Sequence, residues 1–206
     1  MLSSMRAAAS FALLATLLLL ASCTTEKLSP IPLDGLILAF GDSLTEGTGT
    51  NRENSYPAVL EALSSRTVIN AGVSGETTDE GRVRLPEILD RHSPALVVLI
   101  EGGNDILRNL GKVRIKQNLR AMIEMIHSRG SQVVLIGVPE KNLFTRSAPF
   151  YQELAEEFDL VHDVEFIGDL LRSPSLKSDR VHFNAKGYRK MAESIHELLQ
   201  ENGALP

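Results

Sequence analysis

Five times along the chain a short apolar run stops at polar or turn-forming residues, and the stretch between one run and the next carries its apolar residues at helical spacing. The first run, Leu36-Ile37-Leu38-Ala39-Phe40, ends at Gly41-Asp42-Ser43. Unbroken apolar runs of this length read as buried strands of a parallel sheet covered on both faces. Residues 67–70, 95–100 and 132–138 repeat the pattern, and residues 160–164 give a weaker fifth strand. Helices are expected over 56–63, 78–91, 149–158 and 185–199, and Ile115, Leu119, Met122 and Ile126 form an amphipathic stripe closed by Gly130. In the second of these helices Val83, Ile88 and Leu89 are expected to face inward, with Pro86 kinking it. Strands alternating with helices imply right-handed crossovers and an α/β domain of three layers, α/β/α.

Composition narrows the class. The chain has 206 residues, 43% hydrophobic and 23% charged, as in one globular domain with a real core. Its formal net charge is −5, with both signs interspersed and no basic stripe, so a nucleic-acid partner is excluded.

The amino terminus has a different character. Arg6 precedes an apolar stretch, residues 11–20, that is too short to span a bilayer and reads as the core of an export signal. It closes on Leu20-Ala21-Ser22-Cys23, which resembles the lipobox of bacterial lipoproteins, in which the cysteine becomes the lipidated first residue. Cys23 is the only cysteine, so it has no disulfide partner within the chain, and lipid attachment is the role that explains its position. The expected organisation is a signal peptide over 1–22, a lipidated tether over 23–34 containing Pro30 and Pro32, and one globular domain over 35–206. The location that follows is the cell envelope, facing the periplasm and held at the membrane by the lipid. Thr24 in place of aspartate after the cysteine points to the outer membrane if the source is Gram-negative.

Candidate chemistry gathers where the strands end, because ligands of open α/β sheets meet the chain beyond the carboxyl ends of the strands. Ser43, just past the first strand, is the candidate nucleophile. Locally a second reading stays open: Ser43-Leu44-Thr45-Glu46 also fits a capping box, in which the hydroxyl only caps a helix. A serine nucleophile needs a base, and the base needs a carboxylate to hold its tautomer. Asp179-Arg180-Val181-His182, in an unpatterned stretch before the last helix, can supply both. The other histidines, His92, His127, His162 and His196, fall at a helix end, in helices or in a strand. Donors for a developing oxyanion are available from the backbone N–H of Ser43, the backbone N–H of Gly75 and the side-chain amide of Asn104. No phosphate-binding glycine loop and no His/Cys cluster with metal-ligand spacing is present in the sequence, so no cofactor and no metal are expected.

Taken together, Gly41-Asp42-Ser43-Leu44, the loop from Asn70 to Gly75, Gly102-Gly103-Asn104-Asp105, and Asp179 with His182 resemble four ordered blocks of the SGNH hydrolases, also called the GDSL esterase/lipase family. The loops are most similar to those of the bacterial arylesterase, acyl-CoA thioesterase and lysophospholipase branch. The resemblance implies a flavodoxin-like five-stranded parallel sheet of order 2-1-3-4-5. It implies Ser43 as nucleophile, His182 as base, Asp179 as its orienter, and Ser43, Gly75 and Asn104 as oxyanion donors. The expected reaction is hydrolysis of a small-molecule ester or thioester through an acyl-serine. A carbohydrate O-deacetylase of the same fold and a non-catalytic surface binding module are the alternatives. One departure is Phe183, where the family usually has proline after the histidine. Two loops, residues 106–110 and 138–144, are expected to border Ser43, with Leu107, Leu110, Leu143 and Phe144 lining an acyl groove. Oligomeric state is not legible in the sequence.

Overall fold

The computed structural model describes residues 27–140 and 146–206. The expected signal peptide, Cys23, Leu143 and Phe144 lie outside the described residues.

Five strands, β1 (Leu36–Gly41), β2 (Thr67–Gly72), β3 (Leu96–Ile100), β4 (Gln132–Ile136) and β5 (Val161–Asp163), form one sheet in the order β2-β1-β3-β4-β5. All four pairings are parallel, with Ile37 facing Val68 on one side and Leu96 on the other. The sequence expectation of order 2-1-3-4-5 is met. β3 is buried at every position because helices cover both faces, which is why its sequence is an apolar run and not an alternation.

The helices are α1 (Ser43–Glu46), α2 (Tyr56–Ser64), α3 (Thr78–His92), α4 (Gly103–Arg108), α5 (Lys112–His127), α6 (Pro149–Phe158), α7 (Phe166–Leu171) and α8 (Ala185–Glu201). α2 and α7 pack with α8, and α5 packs with α3 and α6, which gives the two helical layers. Among the described residues no helix is long and apolar enough to cross a membrane.

Two expectations need correction. Val83 does not face inward; it is 73% exposed, and the buried stripe of α3 is Gly81, Leu85 and Leu89. Residues four apart share a face, and Val83 lies about 200° of rotation from Leu85, on the solvent side. Secondly, residues 27–34 are not a free tether. Leu28 and Ile31 are buried, and their N–H groups donate to the carbonyls of Asn202 and Ala204 at 3.0 and 2.9 Å. The sequence of this stretch reads as a linker because only two of its side chains enter the core.

Candidate active site

β1 delivers the first group. Asp42 caps α1: its Oδ1 accepts the Leu44 N–H at 3.0 Å, and its carbonyl accepts the N–H groups of Thr45 and Glu46. The cap is therefore Asp42 and not Ser43, and the hydroxyl of Ser43, the first residue of the helix, is left over for other chemistry. Its own N–H is one of the donors that a helix start leaves unpaired.

β2 and β3 flank β1 and carry the other donors. Past β2, Gly75 adopts a left-handed φ of 83°, a conformation that suits glycine, and its N–H has no backbone partner among the described residues. Past β3, Asn104 Nδ2 donates to the carbonyl of Glu76 at 2.9 Å and makes a longer 3.4 Å contact with Asp42 Oδ2. One amide hydrogen is thus fixed, and the weakly held second one can serve a substrate oxygen.

The last groups arrive from a loop. His182 Nε2 lies 3.0 Å from Ser43 Oγ, and His182 Nδ1 lies 2.7 Å from Asp179 Oδ2. Asp179 Oδ1 accepts the N–H groups of Val181 and His182 at 2.8 and 2.9 Å, so one carboxylate both folds the loop and holds the ring. Burial alone would raise the Asp179 carboxyl, but the imidazole and these two N–H groups outweigh it and leave it below its ordinary value.

The loop is docked, not free-standing. Lys177 and Phe183 form an antiparallel bridge, and Asn184 Nδ2 donates to the carbonyls of Ser175 and Lys177 while its Oδ1 caps α8. Phe183 is wholly buried and meets the Tyr188 ring edge to face at 5.6 Å. Tyr188 in turn donates its hydroxyl to the Thr48 carbonyl at 2.7 Å, tying α8 to the turn that follows Ser43. That turn touches the loop directly, since a Cβ on Gly49 would come within 2.1 Å of Ser178 Oγ and 2.6 Å of the Phe183 carbonyl.

Beneath the site lies a group of buried acids. Glu76 is paired through both oxygens with Arg84, whose guanidinium also stacks on Phe40 at 4.3 Å. Burial pushes the Asp42 carboxyl up to about 6, with the Leu44 N–H and His182 opposing the rise. Glu101 is fully buried; its Oε2 accepts the Gly102 N–H at 3.0 Å and its Oε1 has no partner among the described residues. Burial, then Asp42 and Glu76, push it well above its ordinary value, which favours the neutral acid.

A cavity of about 170 Å³ opens over Ser43, His182, Gly75 and Asn104, with Leu44, Leu107, Val138, Pro139, Leu171 and Val181 as its apolar wall. Of the residues singled out in the sequence for catalysis or oxyanion binding, Ser43, His182, Gly75 and Asn104 line this one cavity, and Asp179 stands behind His182, hydrogen-bonded to its Nδ1. Leu110 lies elsewhere: it lines a neighbouring cleft with Ile106, Ile115 and Glu140. His162 is excluded as the base because Leu160 O and the Gln152 side chain occupy its two nitrogens. Sequence reading missed Tyr188, Thr48 and Glu101. A buried acid one residue before the double glycine was the signal for Glu101; nothing local marks Tyr188.

The arrangement can activate a hydroxyl, orient a base and bind an oxyanion, which is the equipment of acyl transfer. Known proteins agree with it. The model of the GDSL-like Lipase/Acylhydrolase family matches residues 39–190. An arylesterase of Vibrio mimicus is 34% identical over 174 residues, covering 79% of this chain and 87% of the relative. Thioesterase 1/protease 1/lysophospholipase L1 of Escherichia coli K12 is 28% identical over 172 residues, 80% of this chain and 83% of the relative. Among solved structures, AlinE4, an SGNH-hydrolase family esterase, superposes with a TM-score of 0.63 at 32% identity, covering 82% of this chain and 96% of that one.

Proposed function

This chain belongs to the GDSL-like Lipase/Acylhydrolase family, and on that premise we propose that it is a serine esterase in which Ser43, His182 and Asp179 hydrolyse carboxylic ester or thioester bonds through an acyl-serine. The observation that carries the assignment is the unbroken line from Asp179 Oδ2 through His182 to Ser43 Oγ, with links of 2.7 and 3.0 Å.

In the first half-reaction His182 Nε2 takes the Ser43 proton as Oγ attacks the carbonyl carbon. Asp179 keeps Nδ1 protonated and balances the imidazolium. The oxyanion is held by the N–H groups of Ser43 and Gly75 and by the weakly held second hydrogen of the Asn104 amide, which turns to it from Asp42. His182 then returns the proton to the leaving alkoxide or thiolate, and water, activated by the same imidazole, releases the acid. Relatives carry the names arylesterase and thioesterase/lysophospholipase, and the apolar wall of Leu107, Val138, Pro139 and Leu171 suits an acyl chain longer than acetyl. Each methylene buried adds up to ~0.8 kcal/mol of binding. On p-nitrophenyl esters kcat/KM should therefore climb from acetate toward medium chains and level off where the wall ends. An outright preference for acetate, with acetylated xylan cleaved faster than any longer ester, would contradict this and favour a carbohydrate deacetylase.

Cys23, closing Leu20-Ala21-Ser22-Cys23, carries the second part of the reading: export, cleavage before Cys23 and lipid attachment there, with the domain in the cell envelope on the periplasmic side. Loss of membrane association in Cys23→Ser, against retention of the wild type, is the expected result. Wild type found wholly in the soluble fraction would contradict it.

A further inference from the structure

The active-site cavity lies beyond the carboxyl ends of the strands, and the docked segment 27–34 lies along their amino ends. Gln132, the first residue of β4, donates its side-chain amide to the Ser29 carbonyl at 2.9 Å and accepts the Ser29 N–H at 2.6 Å. Arg66, just before β2, donates to the Ile31 carbonyl at 3.2 Å. Lys27 reaches Asp159, two residues before β5, at 3.6 Å. Ile31 and Leu28, 2% and 7% exposed, fasten the segment to the core beside Ala204 and Asn202. The chain thus leaves the domain on the face opposite Ser43.

Resting on the lipidation of Cys23 proposed above, we infer that the mouth of the active site faces away from the membrane that holds the protein, so that its substrates arrive from the aqueous side and are not acyl lipids of the anchoring leaflet. The argument is one of reach. Four residues separate Cys23 from the docked Leu28, and these five residue-to-residue steps span at most about 17 Å fully extended. A domain of this size has a radius of gyration of about 16 Å and is roughly 40 Å across. Turning the mouth down onto the bilayer would lift Leu28 most of that distance above it, about twice what the connection allows. The domain can tilt on such a short connection; it cannot invert. An ester free in the aqueous space, or displayed on a surface across it, is within reach of Ser43, whereas an ester in the leaflet beside the anchor is not.

The test uses the full-length lipidated protein in vesicles, with an embedded fluorogenic medium-chain ester that the detached Cys23→Ser form is able to cleave. The reporter is placed either in the vesicles that carry the enzyme or in a second, enzyme-free population. Tethering to a reachable partner raises effective concentration enough for a 10²–10⁴-fold gain. We expect wild type to cleave its own vesicle's reporter no faster than the reporter in the separate population. A variant with thirty Gly/Ser residues inserted between Glu26 and Lys27 should cleave its own vesicle's reporter at least tenfold faster. Both should hydrolyse a soluble p-nitrophenyl ester with equal kcat/KM. A wild-type preference for its own vesicle of tenfold or more would overturn the orientation. The premise is read separately from the mass of the amino-terminal peptide: an unmodified Cys23 would refute lipidation before the vesicle comparison is made.

Discussion

The nucleophile and the oxyanion donors stand on the ends of three adjacent strands, whereas the base and its carboxylate stand on a loop, and the two halves are rigid for different reasons. On the strand side Ser43, Gly75 and Asn104 inherit their spacing from the β2-β1-β3 ladder, and the neighbouring acids Asp42, Glu76 and Glu101 are nearly or fully buried. On the loop side the Asp179 side chain is 52% exposed and that of His182 19%. No ladder holds it; the bridge at Phe183, the Asn184 hydrogen bonds and the Tyr188–Thr48 bond do. A sheet distributes its constraint over many hydrogen bonds, so one substitution moves it little. A loop held by a few contacts is open to single changes that shift the base without unfolding the domain.

That contrast can be broken from either side. The largest effect should come from His182→Ala, which removes the base outright: a fall in kcat of at least about 10⁴-fold with normal folding by circular dichroism. Next, Asn104→Ala on the strand side should lower kcat by roughly 10²–10³ with KM little changed, the loss expected for one oxyanion donor. A KM effect at constant kcat would make Asn104 a substrate-binding group instead.

A smaller and more discriminating change is Tyr188→Phe. It deletes only the hydroxyl that ties α8 to Thr48, and one such hydrogen bond contributes about 0.5–1.5 kcal/mol to stability. If the loop half depends on this contact, kcat should fall by about tenfold or more while Tm drops by only a few degrees, because a small misplacement of a base costs far more in rate than in stability. Wild-type kcat in Tyr188→Phe would show that the remaining contacts fix the loop alone.

The smallest effect on rate belongs to Glu101→Gln. Burial holds the Glu101 carboxyl well above its ordinary value in the folded protein, so its contribution to stability is greatest at low pH and declines as pH rises. Glutamine cannot ionise. The variant should match wild type in Tm near pH 4 and exceed it at pH 8, with kcat within about threefold. A variant less stable than wild type at pH 8 would contradict the upward push on Glu101.

Legibility in the sequence follows the same division. β1 and β3 announce themselves as apolar runs because both faces of the sheet are covered, and their abrupt ends mark Ser43 and Asn104. Parallel pairing orders such strands with few alternatives. The short helices α4 and α7 have too few turns for a periodic signal. His182 was found by its neighbours Asp179 and Asn184, which are local, but its support from Tyr188 and Gly49 is not: those residues meet only after the chain has closed on itself. Docking of residues 27–34 is hidden for a related reason, since two buried side chains, Leu28 before Pro30 and Ile31 between Pro30 and Pro32, look like part of a linker until the rim they fill is known. The Ser43-Leu44-Thr45-Glu46 pattern misled locally because Asp42, one residue earlier, is the better acceptor at the helix start.

The central claim, that Ser43 is the residue acylated in turnover, is tested most directly by intact mass after reaction with a fluorophosphonate. Wild type should gain one adduct per chain, located on the peptide containing Ser43, with activity lost in proportion. Ser43→Ala should gain none and retain no more than a trace of esterase activity at wild-type Tm. Labelling at another residue, or substantial turnover by Ser43→Ala, would contradict the account.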